Sequence, residues 1–122
     1  MFIGELARLS GLTQDTLRWY EKIGLVPPPL RDRGGRRVYP GETLAWIAFL
    51  GRLKATGMSI AEMTVYARLR AEGDGTLAAR REMLERHRLR VAADIAALTE
   101  ALASLDDKID TYRRLEAEAA AG

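Results

Sequence analysis

The amino-acid sequence predicts a mainly α-helical protein: a winged helix-turn-helix head with a small β-hairpin wing, followed by a long C-terminal dimerisation helix. Three observations predict this fold class. Two short amphipathic patterns meet across a glycine near the N-terminus, a Gly-Gly pair separates two short alternating runs, and an apolar seven-residue repeat ends the chain. The expected boundaries are a head over residues 1–70, a linker over 71–75 and a coiled-coil helix over 76–122.

The first two helices form the predicted helix-turn-helix. The first helix covers Ile3 to Leu9, and a Ser-Gly-Leu turn joins it to a second helix. Thr13 is the expected N-cap of that second helix, and Gly24 suits its end because glycine adopts the left-handed conformation readily. Arg18 and Trp19 lie outward on this helix, which favours a recognition helix. An ordinary corner between two helices is the alternative at this point.

Arginine is concentrated in the predicted hairpin that follows Pro27–Pro29. The Gly34-Gly35 pair is expected to supply the positive φ angles of a tight primed turn. The four arginines around the tip are Arg31, Arg33, Arg36 and Arg37. Four like charges repel one another unless an anion lies between them. A wing that grips the DNA phosphate backbone explains this cluster better than a solvated loop.

The third and fourth helices are expected to form the core of the head and a second corner. The third helix begins after Pro40-Gly41 and is apolar almost all round, so Trp46 is expected in the packing, with a pocket-lining role as the alternative. Ser59 and Glu62 have the spacing of a capping box that starts the fourth helix. Lys54 lies beside this corner, where it either reaches a second phosphate or stays solvated.

Two series of residues spaced by seven run along the last helix. One series is Leu77, Leu84, Val91, Leu98, Leu105 and Tyr112, and the other is Arg81, Arg88, Ile95, Leu102, Ile109 and Glu116. Nine of these twelve are apolar or tyrosine, which is the pattern of a coiled-coil seam. The predicted dimer contacts are Leu84, Val91, Ile95, Leu98, Leu102, Leu105 and Ile109. A homodimer is expected, with packing of this helix on its own head as the alternative, and His87 is expected on the exposed surface.

Composition narrows the function further. Residues 1–70 hold 11 Lys and Arg against 6 Asp and Glu, whereas residues 71–122 hold 8 against 11, which suits a nucleic-acid-binding head. With no cysteine and one histidine, no metal site, cofactor or catalytic residue set is expected, and an enzyme is disfavoured. No apolar run is long enough to span a bilayer and no signal peptide is apparent, so a cytoplasmic protein without a membrane partner is expected.

The order of these features resembles the MerR family of bacterial transcription regulators. The residues that carry the resemblance are Ile3-Gly4-Glu5-Leu6-Ala7, Thr16-Leu17-Arg18-Trp19-Tyr20-Glu21 with Gly24-Leu25, Arg36-Arg37-Val38-Tyr39, and Leu53-Lys54 with Gly57, Ser59 and Glu62. The resemblance implies a homodimer joined by an antiparallel coiled coil. It also implies a pseudo-palindromic operator between widely spaced promoter elements, bent and untwisted in response to an effector so that RNA polymerase engages both elements.

The resemblance also assigns roles to single positions. Arg18 and Trp19 match the groove-facing side of the recognition helix, and Tyr20 matches its phosphate-facing edge. Arg36, Arg37 and Tyr39 match the backbone contacts of the wing, and Lys54 matches the lysine of the second wing. The full set of expected DNA-binding residues is Thr13, Gln14, Arg18, Trp19, Tyr20, Arg36, Arg37, Tyr39 and Lys54.

Departures from the family pattern limit which kinds of effector this chain could bind and where. Metal-sensing, redox-sensing and aldehyde-sensing members depend on cysteines that this chain lacks, and the further effector domain of drug-sensing members is not expected. An effector, if there is one, would bind in the head or at the coiled-coil junction. One hypothesis is a pocket for a small anionic or aromatic effector lined by Trp46, Arg81, Arg88 and the partner's Tyr112. The alternative is that both arginines snorkel or pair with carboxylates and fix the helix register.

A second function remains open on the sequence alone. An architectural or adaptor protein could bind DNA non-specifically through its basic head and use the long helix for protein interaction. The recognition-helix residues beside an arginine-rich wing favour sequence-specific binding to double-stranded DNA.

Overall fold

The computed structural model describes residues 1–122, which form five helices and one two-stranded hairpin. The elements are α1 (Ile3–Ser10), α2 (Gln14–Lys22), β1 (Leu30–Arg31), β2 (Arg37–Val38), α3 (Glu42–Ala55), α4 (Ile60–Glu72) and α5 (Leu77–Ala121). One 3₁₀ turn, Asp74–Thr76, precedes α5. The predicted fold class, mainly helical with a small hairpin and a long C-terminal helix, is confirmed.

The turn between α1 and α2 depends on glycine and threonine. Gly11 ends α1 with a φ of 75°, a left-handed conformation that favours glycine. Thr13 begins α2 because its hydroxyl accepts a 3.1 Å hydrogen bond from the backbone N–H of Thr16. Gly24 follows α2 with a φ of 81°, as its position predicts. The helix-turn-helix expected from the sequence is therefore formed.

The hairpin forms, but its turn differs from the prediction. The antiparallel register pairs Leu30 with Val38 and Arg31 with Arg37. Only Gly35 of the Gly-Gly pair has a positive φ, 79°. The prediction of a tight primed turn at this pair is therefore wrong. The reason is Asp32, whose Oδ1 accepts hydrogen bonds from the backbone N–H groups of Gly34 and Arg36, each 2.9 Å long. A carboxylate that bonds its own loop in this way stabilises a longer connection.

Helices α3 and α4 supply much of the core of the head. Trp46 is buried, its Nε1 donates a 2.8 Å hydrogen bond to the carbonyl of Leu25, and its ring lies 5.8 Å from the ring of Tyr66 at 15°. The capping box is present, with the Ser59 hydroxyl accepting from the Glu62 backbone N–H at 3.1 Å. Both the packing of Trp46 and the start of α4 therefore follow the sequence-based expectation.

Helix α5 extends through two compact units, Met1–Leu84 and Glu85–Gly122. In the first unit, Met83 and Leu84 pack against the core of the head. Leu84, expected at the dimer seam, thus contacts its own head, because the first turns of α5 fold as part of that unit. None of the helices, including this one of 45 residues, is long and apolar enough to cross a membrane.

The second unit leaves its apolar stripe exposed. Leu98 is the most exposed member, at 70%. The other exposed members are Ile95, Leu102, Leu105, Ile109 and Tyr112. Residues spaced by three and four share one face of a helix, so these side chains form one continuous apolar surface.

His87 contradicts its predicted surface position, since it is only 5% exposed. It follows Met83 by four residues and Leu84 by three, so it lies on the side of α5 that those two residues occupy. Its Nδ1 is 3.2 Å from the guanidinium Nη2 of Arg90. The surface prediction fails because this side of the helix is the buried one.

Candidate nucleic-acid interface

The outward face of α2 carries polar and aromatic side chains. Arg18 is held by its helix neighbours, with Nη1 3.1 Å from Oδ1 of Asp15 and Nη2 3.3 Å from Oε1 of Gln14. Trp19 is 47% exposed beside them. Exposed ion pairs contribute little free energy, so the guanidinium of Arg18 can exchange these contacts for an acceptor on a nucleic acid.

Thr13 and Tyr20 are placed differently from the rest of the expected contact set. The hydroxyl of Thr13 is used as the N-cap of α2 and also donates to Oγ1 of Thr16 at 2.9 Å. Tyr20 is 6% exposed and belongs to the core of the head. Its ring centre lies 5.5 Å from that of Trp19. The buried ring of Tyr20 therefore packs against the exposed ring of Trp19.

The wing arginines have separate environments. Arg36 pairs with Asp32, with Nε 3.0 Å from Oδ2, and its guanidinium lies 4.9 Å from the centre of the Phe2 ring. Arg31 donates from Nη1 to the carbonyl oxygen of Gly35 at 2.6 Å. Asp32 therefore supplies part of the anionic charge that the arginine cluster requires, and Arg33 and Arg37 remain exposed at the wing surface.

A carboxylate joins the wing to the recognition helix. The hydroxyl of Tyr39 donates a 2.9 Å hydrogen bond to Oε2 of Glu21, and Nη1 of Arg37 lies 4.0 Å from Oε1 of the same carboxylate. Tyr39 is buried, and this burial together with the Glu21 hydrogen bond raises its pKa to about 12. The backbone of Tyr39 also exchanges hydrogen bonds with Met1, at 2.8 and 2.7 Å.

Glu21 is the residue whose role the sequence analysis missed. It shares one side of α2 with Gln14 and Arg18, and this spacing is the sequence feature that could have indicated a role at the interface. The spacing does not show that Glu21 contacts the wing, because the wing is distant in sequence. Tyr39 forms the other half of this link, since it is only 2% exposed and its hydroxyl is bonded to Glu21. Its expected contact with phosphate stays a prediction.

Two of the expected effector residues, Arg88 and Tyr112, lie far apart within one chain. The ring of Trp46 stacks with that of Tyr66, and the guanidinium of Arg70 lies 4.3 Å from the centre of the Trp46 ring. Arg88 and Tyr112 are separated by about 36 Å along α5 at the rise of an α-helix. A pocket with Arg81 would therefore need the partner's Tyr112, and it stays a prediction.

Two family models match this arrangement of elements. The model for MerR family regulatory proteins matches residues 2–39, which contain the helix-turn-helix and the wing, and the MerR DNA-binding model matches residues 44–118. The chain belongs to the MerR family. The two matches leave out only residue 1, residues 40–43 at the start of α3, and residues 119–122.

Individual members of the MerR family are also similar to this chain. The HTH-type transcriptional regulator AdhR of Bacillus subtilis is 43% identical over 91 residues, which cover 73% of this chain and 65% of AdhR, less than two thirds of its length. The HTH-type regulator YyaN of the same organism is 31% identical over 122 residues, covering 90% of this chain and 88% of YyaN.

A solved MerR-family structure agrees with the fold over nearly the whole chain. HiNmlR, a MerR family regulator that lacks the sensor domain and is bound to promoter DNA, has a TM-score of 0.82 and 33% sequence identity. The match covers 95% of this chain and 92% of HiNmlR. The relatives named here are transcriptional regulators.

Proposed function

We propose that this chain is a sequence-specific transcription regulator that binds double-stranded promoter DNA as a homodimer. The observation that carries the proposal is the joint surface of α2 and the wing. Arg18 and Trp19 are exposed on a helix of the length that fits a major groove, and Arg37 is exposed on the wing that Glu21 ties to that helix.

The proposal divides the contacts by chemistry. Arg18 reads a base edge, because its planar guanidinium can form two hydrogen bonds to guanine. Gln14 and Trp19 flank it, and the backbone N–H groups of the first turn of α2, which Thr13 begins, face phosphate. Arg36 and Arg37 neutralise the phosphate backbone, and Lys54 contacts a second phosphate beyond the recognition helix. Tyr20 and Tyr39 support this surface from within the head.

The homodimer is proposed from the exposed stripe of α5. Large apolar side chains that are 48% to 70% exposed over residues 95–109 favour burial against a second copy of the same helix. An antiparallel arrangement, as the family resemblance implies, would separate two identical heads and match a pseudo-palindromic operator. The carboxylates of the second half of α5 would then lie near Arg81 and Arg88 of the partner helix.

The proposed mode of regulation is deformation of the operator. A dimer that bends and untwists DNA between promoter elements changes how RNA polymerase engages them, and the deformation energy depends on sequence even where no base is touched. HiNmlR is bound to promoter DNA without a sensor domain. This supports the proposal that the head and the coiled coil are sufficient for operator binding.

The architectural alternative predicts a different dependence on salt. Binding of the full chain to the DNA upstream of its own gene should be compared with binding to a shuffled sequence, by fluorescence anisotropy over a range of salt concentrations. A specific regulator keeps an advantage of at least about a thousandfold for its operator at physiological salt. Equal affinities that fall together as salt rises would instead favour backbone-only binding.

A further inference from the structure

A cleft of about 450 Å³ opens in the head between the end of α1 and one side of α3. Its walls are apolar and include Leu12, Leu44, Ile47 and Met63. Small-molecule sites in proteins are clefts of roughly 300–1,000 Å³ with mainly apolar walls and few polar groups. The volume and the walls of this cleft both fall within that description.

Gly51 lines this cleft. It lies in the interior of α3, where glycine costs about 0.5–1 kcal/mol relative to alanine. A Cβ atom built on Gly51 would meet no other atom within 4 Å, so packing within the chain does not require glycine here. The missing side chain instead leaves unfilled space in the lining of the cleft.

Lys54 gives the cleft its charge. It lies three residues after Gly51 on the same side of α3, and it is the only charged residue of the lining. Lys54 forms no ion pair within the chain. An apolar cavity with one unpaired ammonium group at its side complements a ligand with an apolar body and a single negative charge.

We propose that this cleft binds a small apolar monocarboxylate, whose hydrocarbon part lies against Leu12 and Leu44 and whose carboxylate pairs with Lys54. The consequence for DNA rests on the proposed function. If Lys54 contacts phosphate in the operator complex, a carboxylate bound in the cleft competes for the same ammonium group and weakens the complex. The ligand site itself is independent of DNA.

The direct test is calorimetric titration of the full chain, without DNA, with decanoate and 2-naphthoate and with their neutral analogues decan-1-ol and 2-naphthamide. At least one carboxylate should bind about tenfold more tightly than its neutral analogue, the margin of a charge-assisted contact. Lys54→Met should abolish that difference, whereas Arg52→Met, which removes a charge from the same helix outside the cleft, should preserve it.

Filling the cleft tests its location. Gly51→Leu and, independently, Ala48→Leu should each weaken carboxylate binding at least about tenfold, because both side chains would project into the lining. Circular dichroism of each variant establishes that the helices are retained. The proposal is overturned if neither carboxylate binds below about 1 mM, or if both folded, filled variants bind as the wild type does.

A separate experiment with DNA distinguishes the two proposals. Operator affinity is measured with and without the carboxylate that binds best. If the carboxylate binds but no DNA sequence is preferred, the regulator proposal fails while the ligand site stands. If DNA is bound specifically and the calorimetric titration detects no carboxylate binding, the ligand-site proposal fails and the regulator proposal stands.

Discussion

The hydroxyl of Tyr39 donates a 2.9 Å hydrogen bond to the carboxylate of Glu21, and this bond joins the wing to the recognition helix. The two residues lie on either side of a proline-containing loop, and both segments also contribute to the core of the head. Arg37 lies 4.0 Å from the same carboxylate. The position of a proposed phosphate-binding arginine is therefore fixed relative to the helix that carries the proposed base-reading arginine.

Removing the Tyr39 hydroxyl should weaken both the fold and the interface. Tyr39→Phe is expected to lower the free energy of unfolding by about 1 kcal/mol, because one intramolecular hydrogen bond is lost without a cavity. Urea denaturation measures this change. Tyr66→Phe, at a buried ring whose hydroxyl forms no hydrogen bond within the chain, is the matched control and should leave the unfolding free energy unchanged. Equal effects of the two substitutions would contradict a structural role for the Tyr39–Glu21 bond.

The raised pKa of Tyr39 predicts a specific loss of stability in alkali. The folded protein keeps the phenol proton up to about pH 12, whereas the unfolded chain releases it near 10.0, the ordinary pKa of tyrosine. Stability from this group is thus fully present below about pH 10 and is lost as the pH rises toward 12. The expected loss is at most about 3 kcal/mol, and it should be absent from Tyr39→Phe. Parallel stability curves for both proteins between pH 10 and 12 would contradict this account.

The two exposed arginines of the interface should respond differently to truncation. Arg18→Ala is expected to cost about 1–3 kcal/mol on the operator and little on random DNA, because a bidentate base contact is lost. Arg37→Ala should weaken binding to all sequences alike and reduce the salt slope by about 1. Arg113→Ala, on the exposed surface of α5, controls for the loss of positive charge. Identical profiles for the first two variants would overturn the proposed division between base and phosphate contacts.

A charge in the exposed stripe of α5 should prevent dimer formation. Leu98→Asp introduces a carboxylate where an apolar side chain is expected to face the partner, and burial of an unpaired charge is costly. Sedimentation velocity should give the mass of a monomer. Leu89→Asp is the matched control, because Leu89 is 67% exposed but lies on the opposite side of the helix. If Leu98→Asp still formed a dimer, or if both variants were monomers, the assignment of the dimer interface to this stripe would be contradicted.

Local sequence signals predicted the elements of the head well. Thr13, Gly24 and the Ser59–Glu62 pair act within one helical turn of their partners, so their spacing alone determines what they do. The burial of Trp46 also followed, because its helix is apolar almost all round. The heptad-like spacing likewise anticipated one uninterrupted C-terminal helix.

Contacts between segments that are distant in sequence were harder to predict. The bond between Glu21 and Tyr39 spans 18 residues and links two elements whose relative position no local pattern specifies. The same applies to His87, because its position in the seven-residue repeat does not specify that its side chain is buried. The hairpin turn was mispredicted because Asp32 competes with the Gly-Gly pair for the loop geometry.

The most direct test of the central claim is footprinting of the purified full chain on the DNA just upstream of its own gene, at physiological salt. A sequence-specific dimeric regulator predicts one protected site with two-fold symmetry between promoter elements, and loss of that protection in Arg18→Ala. Diffuse protection that disappears as salt is added, with no difference between the wild type and Arg18→Ala, would contradict the claim.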